Sequence, residues 1–239
     1  LAFLAARSGG DARTALAALE LAAEGADRIT LARAEDALQR RAVLYDKGGD
    51  RHYDLVSAWI KATRGSDPDA ALLYLAAMLE GGEDPRFIAR RMVILASEDI
   101  GNADPQALVV ATAAAQAVEH VGMPECALNL SQACVYLALA PKSNAATKAI
   151  AAARAWVREH GTPTPPPYLR DAHYPGARKL GRGEGYDYPH DRPEGVSPQE
   201  LMPEEAVGER FLELSGHGHE RELRERLERI RRARGRADA

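Results

Sequence analysis

The chain has 239 residues, 46% of them hydrophobic but only 5% aromatic, and a formal net charge of -4. That length admits one sizeable core or two small domains, and the mild acidity excludes a global field for a polyanion, so any contact with nucleic acid has to be local. No run approaches the length of a membrane span, and Leu1 to Arg7 lacks the charged leader and cleavage pattern of a signal peptide.

Alanine carries much of the apolar count, which favours closely packed helices and an all-α fold. Leu1 lies in what reads as the end of a helix already under way, so the expectation is a fragment. Ser8-Gly9-Gly10-Asp11 breaks that helix, and Asp11 is placed to cap a second one with Leu16, Leu19 and Ala23 on one side. Arg13 then sits in a first turn, where a cation opposes the helix dipole. Either it is simply exposed, which the pattern alone favours, or it points at an anion lying against the helix N-terminus. Ile29-Thr30-Leu31 reads as a short extended or turn element, and Ala34 to Arg41 as a brief helix with Ala37 and Leu38 facing in. Residues 1–42 thus form a small helical unit, and Gly48-Gly49 separates it from the longer remainder of the chain.

Between Tyr45 and Pro105 polar residues crowd the helix junctions. Loops need Gly, Pro and Asp, but they do not need Lys61, Arg64, Arg90, Arg91, Glu98 and Asp99 set against apolar helices. Asp67-Pro68, Asp84-Pro85 and Asp104-Pro105 each offer a carboxylate cap followed by proline at the first helical position, and Pro124 and Pro141 are assigned the same opening role. Six helices are expected between them. Their inward faces carry Leu55, Trp59 and Ile60; Leu72, Leu75 and Leu79; Ile88, Met92 and Leu95; Leu108, Val109 and Val118; Leu128, Leu130, Val135 and Leu139; and Ile150, Trp156 and Val157. Arg90 and Glu98, eight apart, share a face if one helix runs unbroken through both. Cys126 and Cys134 share a helix face two turns apart, too far for a bridge, and read as buried free thiols.

At Thr162 the character changes, because nine of the fourteen prolines and four of the eight tyrosines fall between Thr162 and Glu204. So many aromatics predict an ordered arm rather than a disordered linker. The chain closes on a helix from Glu220 to Arg236, with Leu223, Leu227 and Ile230 as a narrow apolar stripe and eight arginines against four glutamates.

Candidate chemistry is sparse. Val93 to Asp99 superficially matches a hydrophobic strand ending in a magnesium-binding acidic pair, but Ile88, Met92 and Leu95 repeat at helical spacing. No Gly-x-x-x-x-Gly-Lys-Ser/Thr phosphate loop occurs. Gly181 to Gly185 precedes Tyr-Asp-Tyr-Pro rather than a helix, so it is a loop. The seven histidines are scattered, no metal site is predicted, and no Ser-His-Asp or Cys-His set stands out. The junction charges read as caps and an ion-pair network that fixes helix orientation.

Taken in series, several motifs resemble one family. They are the run Tyr45 to Asp54, Ser57 to Lys61, Arg64-Gly-Ser-Asp-Pro-Asp-Ala-Ala71, Gly82-Glu-Asp-Pro85, Ile88-Ala-Arg-Arg91, Ala96-Ser-Glu-Asp-Ile-Gly101, Ala140-Pro-Lys-Ser-Asn144, Leu169-Arg-Asp-Ala172 and Tyr186-Asp-Tyr-Pro-His190. The chain is similar to the C-terminal half of the replication-associated recombination protein A family, bacterial relatives of Werner-helicase-interacting AAA+ ATPases with clamp-loader-like architecture. The resemblance covers the chain to about Gln199. After Pro203, Phe211 to Glu220 keeps only a loose echo of the family's ending.

The resemblance implies a partial AAA+ lid over residues 1–42, a helical oligomerisation core over 43–162, and a Pro/Tyr-rich arm with a basic helix over 163–239. It makes Gly10-Asp-Ala-Arg13 the sensor-2 motif, with Arg13 reaching a phosphate of ATP bound with Mg by the rest of the parent protein. Lys61, Arg64, Asp67, Arg90, Arg91, Glu98, Asp99 and Lys142 take structural or interface roles, with no catalytic residue in this half. It further implies a homotetrameric, DNA-stimulated ATPase of the cytoplasm and nucleoid, acting at stalled or gapped forks with single-stranded-DNA-binding protein as partner. Without a phosphate loop, this stretch alone is expected neither to bind ATP tightly nor to hydrolyse it. A rival reading is a stand-alone helical nucleic-acid module using Lys61, Arg64, Arg90, Arg91 and the basic tail; another is a free-standing helical enzyme.

Overall fold

A computed structural model of the chain describes residues 1–7, 12–24, 28–44, 50–173 and 180–235, with the backbone only of residues 13, 14, 38–44 and 50–52. Gly10, Asp11, the side chain of Arg13, the stretch Tyr45 to Gly49 and Tyr174 therefore lie outside the described residues. Ten α-helices are described and no strand is present among them: α1 (Ala2–Arg7), α2 (Ala12–Ala23), α3 (Leu31–Leu44), α4 (Asp50–Arg64), α5 (Pro68–Glu80), α6 (Pro85–Leu95), α7 (Gln106–Val121), α8 (Cys126–Leu139), α9 (Ala145–His160) and α10 (Glu220–Ala233). The fold is all-α, as the alanine-rich composition predicts. None of these helices is long and apolar enough to cross a membrane.

The chain forms two compact units, Leu1–Val93 with Val110–Leu139, and Ile94–Val109 with Ala140–Ala239. In the first, α1 to α3 pack around Leu4, Ala18 and Ala34, with Phe3 and Leu19 against them. Leu16, expected inside, is exposed, because Ala18 and Ala22 take the contact face of α2 and their small side chains let the helices approach closely. The third helix is longer than its periodicity implied. Thr30 is its cap: its hydroxyl accepts the Arg33 amide at 3.3 Å and its carbonyl the Ala34 amide at 3.0 Å, so the helix starts at Leu31 where an extended element was expected. Arg33 then reaches back to the carbonyls of Ala22 (Nε, 3.3 Å) and Glu24 (Nη2, 2.7 Å), supplying donors where α2 runs out of its own.

Also in the first unit, α4, α5 and α8 pack against one another. Trp59 is fully buried, donates its indole N–H to Cys134 Sγ at 3.4 Å, and has Leu75, Met78, Leu130 and Leu137 among the other buried residues of these helices. Both cysteines are buried free thiols, and burial pushes both thiols above their usual range. Asp67 caps α5 as its Asp-Pro signature predicts, accepting the Ala70 amide at 2.9 Å with Pro68 in the first turn. Asp67→Ala is expected to cost about 1 kcal/mol, read as a fall in the denaturation midpoint that Asp67→Ser largely avoids; an unchanged midpoint would assign the helix start to Pro68 alone.

Several large apolar residues expected inside are exposed: Leu108, Val109, Leu128, Leu139, Ile150 and Val157. On α7 the buried positions are Ala107, Ala111, Ala114 and Val118, spaced by three and four. Alanine serves as the contact residue there, and the neighbouring leucine and valine rotate outward by about 100° per residue. Pro141 does not open a helix either: α9 begins at Ala145, whose amide is held by Ser143 Oγ at 3.2 Å.

In the second unit several described residues of the Pro/Tyr-rich arm are tied down. Tyr168 donates its hydroxyl to the Glu200 carbonyl at 2.5 Å, and Ser197 donates to Asp187 at 2.6 Å. Arg192 also reaches Asp187 at 2.8 Å, and Arg234 reaches the Gln199 carbonyl at 2.8 Å. The Ser197 hydroxyl, with Arg192, holds the Asp187 carboxyl below its usual range. A carboxyl lowered in this way contributes stability above its unfolded pKa and loses it as the pH falls through the folded value.

Candidate functional site

The site grows from the motif Ala96-Ser-Glu-Asp-Ile-Gly101. After Leu95 the α-helix gives way to a single wide π turn, Ala96–Ile100, then to Gly101 at φ +52° and a 3-10 turn, Gly101–Ala103. The expectation that Arg90 and Glu98 share one unbroken helical face therefore fails, since a five-residue hydrogen-bonded turn shifts the phase of everything after it. A widened turn that then stops leaves carbonyl oxygens without partners in the helix. Two other segments supply the donors. The Glu98 carbonyl accepts Thr147 Oγ1 at 3.1 Å, the Asp99 carbonyl accepts the Ser143 amide at 2.8 Å, and the Ala103 carbonyl accepts the His219 amide at 2.8 Å.

The motif Ala140-Pro-Lys-Ser-Asn144 is the first of these segments. Lys142 Nζ turns back onto the Ala140 carbonyl at 2.6 Å. Desolvation lowers its pKa, and the negative charge of Asp99, itself 8% exposed, opposes that shift. Ser143 is buried and used three ways: its amide binds Asp99, its hydroxyl caps α9 at Ala145, and the same hydroxyl donates to Glu220 Oε2 at 2.8 Å.

The second segment is Ser215-Gly-His-Gly-His-Glu220. Glu220 is fully buried, and its Oε2 also accepts the Ser215 amide at 2.8 Å, while its Oε1 is buried without a hydrogen-bond partner. His217 Nδ1 lies 2.9 Å from the Lys142 carbonyl, so that nitrogen is the protonated one. Gly218 sits at φ +50°, where a Cβ would stand 2.2 Å from the Ala103 carbonyl oxygen and 2.6 Å from Pro141 Cγ. Only glycine allows the strap to lie so close to both neighbours.

Of the predicted site residues, the second unit brings together Glu98, Asp99 and Lys142. Lys61, Arg64, Asp67, Arg90 and Arg91 belong to the first. Lys61 and Arg64 lie exposed in the last turn of α4, where cations favour the helix dipole. Arg90 is exposed, and Arg91 is half-buried with its Nε lacking a hydrogen-bond partner. Sequence reasoning missed Ser143, Ser215, His217, Gly218 and Glu220 as site residues. The one available signal was a pair of glycines two apart directly before a helix that starts with glutamate. The cluster is a polar clamp: its hydroxyl and one oxygen of its carboxylate are buried and bonded to one another, which suits holding backbone rather than presenting a nucleophile. Among the described residues no group of three or more His, Cys, Asp or Glu is placed to hold a metal.

Comparison with known proteins agrees with this helical layout. Residues 65–231 match the family described as MgsA AAA+ ATPase C terminal, and residues 1–64 match the AAA C-terminal domain. The chain is 54% identical over 226 residues to an AAA domain-containing protein of Mycobacterium tuberculosis, covering 93% of this chain and 50% of that protein. It is 47% identical over 203 residues to Replication-associated recombination protein A of Bacillus subtilis, covering 82% and 48%. It is also 46% identical over 178 residues to ATPase WRNIP1 of Dictyostelium discoideum, covering 74% and 20%. The chain thus spans about half the length of the bacterial relatives. With most of its residues inside one family model, the chain belongs to the MgsA AAA+ ATPase C-terminal family.

Proposed function

We propose that this chain is the lid and oligomerisation region of a DNA-stimulated AAA+ ATPase that acts at stalled or gapped replication forks and assembles as a homotetramer. The observation that carries the reading is the pair of adjoining family matches, residues 1–64 and 65–231, in a chain half the length of its bacterial relatives. Residues 1–42 form the partial lid, 43–162 the oligomerisation core, and 163–239 the arm and basic helix. ATP and Mg bind in the remainder of the protein. Arg13, in the first turn of α2, is the sensor-2 contact to phosphate; a cation opposing the helix dipole there is suited to a place where an anion lies. Single-stranded-DNA-binding protein is the partner at the fork, and the nucleoid is where the protein acts.

Self-assembly is supported by the surface of α8, which has no charged residue from Cys126 to Leu139 and leaves Leu128 74% and Leu139 64% exposed. Exposed leucines on an uncharged helix favour burial against another protein surface. Lys61, Arg64 and Arg90 are assigned to the rim of that assembly, and Asp99 and Lys142 to its internal support. Light scattering of the purified 25.8 kDa chain is expected to give a mass near four copies. A monomer at micromolar concentration would overturn the assembly role.

A further inference from the structure

We infer that the exposed face of α9 is a docking surface for the phosphate backbone of duplex nucleic acid. The helix carries Lys148, Arg154 and Arg158 and no acidic residue before Glu159. Lys148, Ala151, Ala155 and Arg158 follow one another at steps of three and four, so they line one side, and Arg154 lies next to them, one turn from both Ala151 and Arg158. All five are exposed. None of the three cations makes a hydrogen bond or ion pair through its side chain with a described residue; Glu159 follows Arg158 in the chain, and the π turn packed against α9 carries Glu98, whose carbonyl holds Thr147, and the buried Asp99.

Two features favour a phosphate backbone over an acidic protein. The alanines between the cations add no bulk, which leaves a shallow surface that a continuous backbone can approach. The span from Lys148 to Arg158 is about 15 Å, which covers about four base-pair steps. The arginine-rich α10 presents a different pattern: Glu222 lies four residues before Arg226, and Glu225 lies four residues from both Arg221 and Arg229. Acids at that spacing compensate the charge locally. The inference rests on the proposed function only for the choice of nucleic acid as partner.

The test is fluorescence anisotropy of a labelled mixed-sequence duplex titrated with the full chain at several salt concentrations. Three phosphate contacts contribute a slope of about 3 to the log–log salt plot, equal to about a 40-fold loss of affinity between 50 and 200 mM salt. The triple variant Lys148→Gln, Arg154→Gln, Arg158→Gln is expected to lose that much of the slope and bind at least tenfold more weakly at low salt, while Arg154→Lys with Arg158→Lys keeps both. The control Arg221→Gln, Arg226→Gln, Arg229→Gln on α10 is expected to bind as the parent does. Absence of binding by the parental chain at low salt, equal losses in the two triple variants, or an unchanged slope in the α9 variant would each overturn the inference. Light scattering reads assembly separately, so a tetramer that ignores DNA sinks this surface and leaves the assembly reading intact.

Discussion

Glu220→Ala is expected to lower the stability of the second unit by about 3 kcal/mol, with the damage concentrated at the clamp. The substitution strands two buried donors, the Ser143 hydroxyl and the Ser215 amide, each now held at 2.8 Å by one carboxylate oxygen. Leaving a buried donor unsatisfied costs roughly 1–3 kcal/mol. The parental arrangement is itself imperfect, because Oε1 is buried and unpartnered. For that reason Glu220→Gln, which keeps one acceptor and removes the charge, is expected to lie within about 1 kcal/mol of the parent. Hydrogen exchange locates the effect: the amides of Ser143, Ser215 and His219 should exchange faster in Glu220→Ala, while those of α4, α5 and α8 stay protected. Gly218→Ala should open the same segment, since its methyl would collide with the Ala103 carbonyl at a positive φ that disfavours alanine. If Glu220→Ala melts with the parent and its three amides remain protected, the clamp carries no stability.

The second large effect is Trp59→Ala, for which a loss of about 3–5 kcal/mol is expected. Trp59 is fully buried in the first unit, and truncation leaves a void among helices whose neighbouring contacts include alanines too small to fill it. Trp59→Phe should cost about 1–2 kcal/mol, because most of the packing survives and the lost partner, Cys134 Sγ, is a weak acceptor. Urea denaturation of the three proteins separates the effects. Equal midpoints for parent and Trp59→Ala would mean that the α4, α5 and α8 packing is not the core of this unit, and equal losses for Phe and Ala would move the weight from packing to the indole hydrogen bond.

Much of the local structure was legible in the chain before any tertiary information. Asp67 and Pro68 mark a helix start because a carboxylate beside a ring-locked φ satisfies the first free amide and preorganises the first turn, and both effects are confined to neighbouring residues. The series of motifs from Tyr45 to His190 pointed to the family that the comparison then identified. The facing of the helices was less legible: counting large apolar residues placed Leu108, Leu128 and Ile150 inside, whereas α7 packs through Ala107, Ala111, Ala114 and Val118, and α8 through two leucines, two cysteines and two alanines. In such helices hydrophobicity does not distinguish a contact alanine from an exposed one.

The amino-acid order by itself determined the all-α character, the helix starts at Asp67-Pro68 and Asp84-Pro85 and the change of character at Thr162, because each depends on interactions spanning a few residues. Only the tertiary structure decided that Ala96–Ile100 widens into a π turn whose Glu98 and Asp99 carbonyls are met by Thr147 and Ser143, and that His219 returns, more than a hundred residues later, to the Ala103 carbonyl just beyond it. Bare carbonyls at a helix end require some donor, but which distant amide supplies it depends on where the whole chain comes to rest.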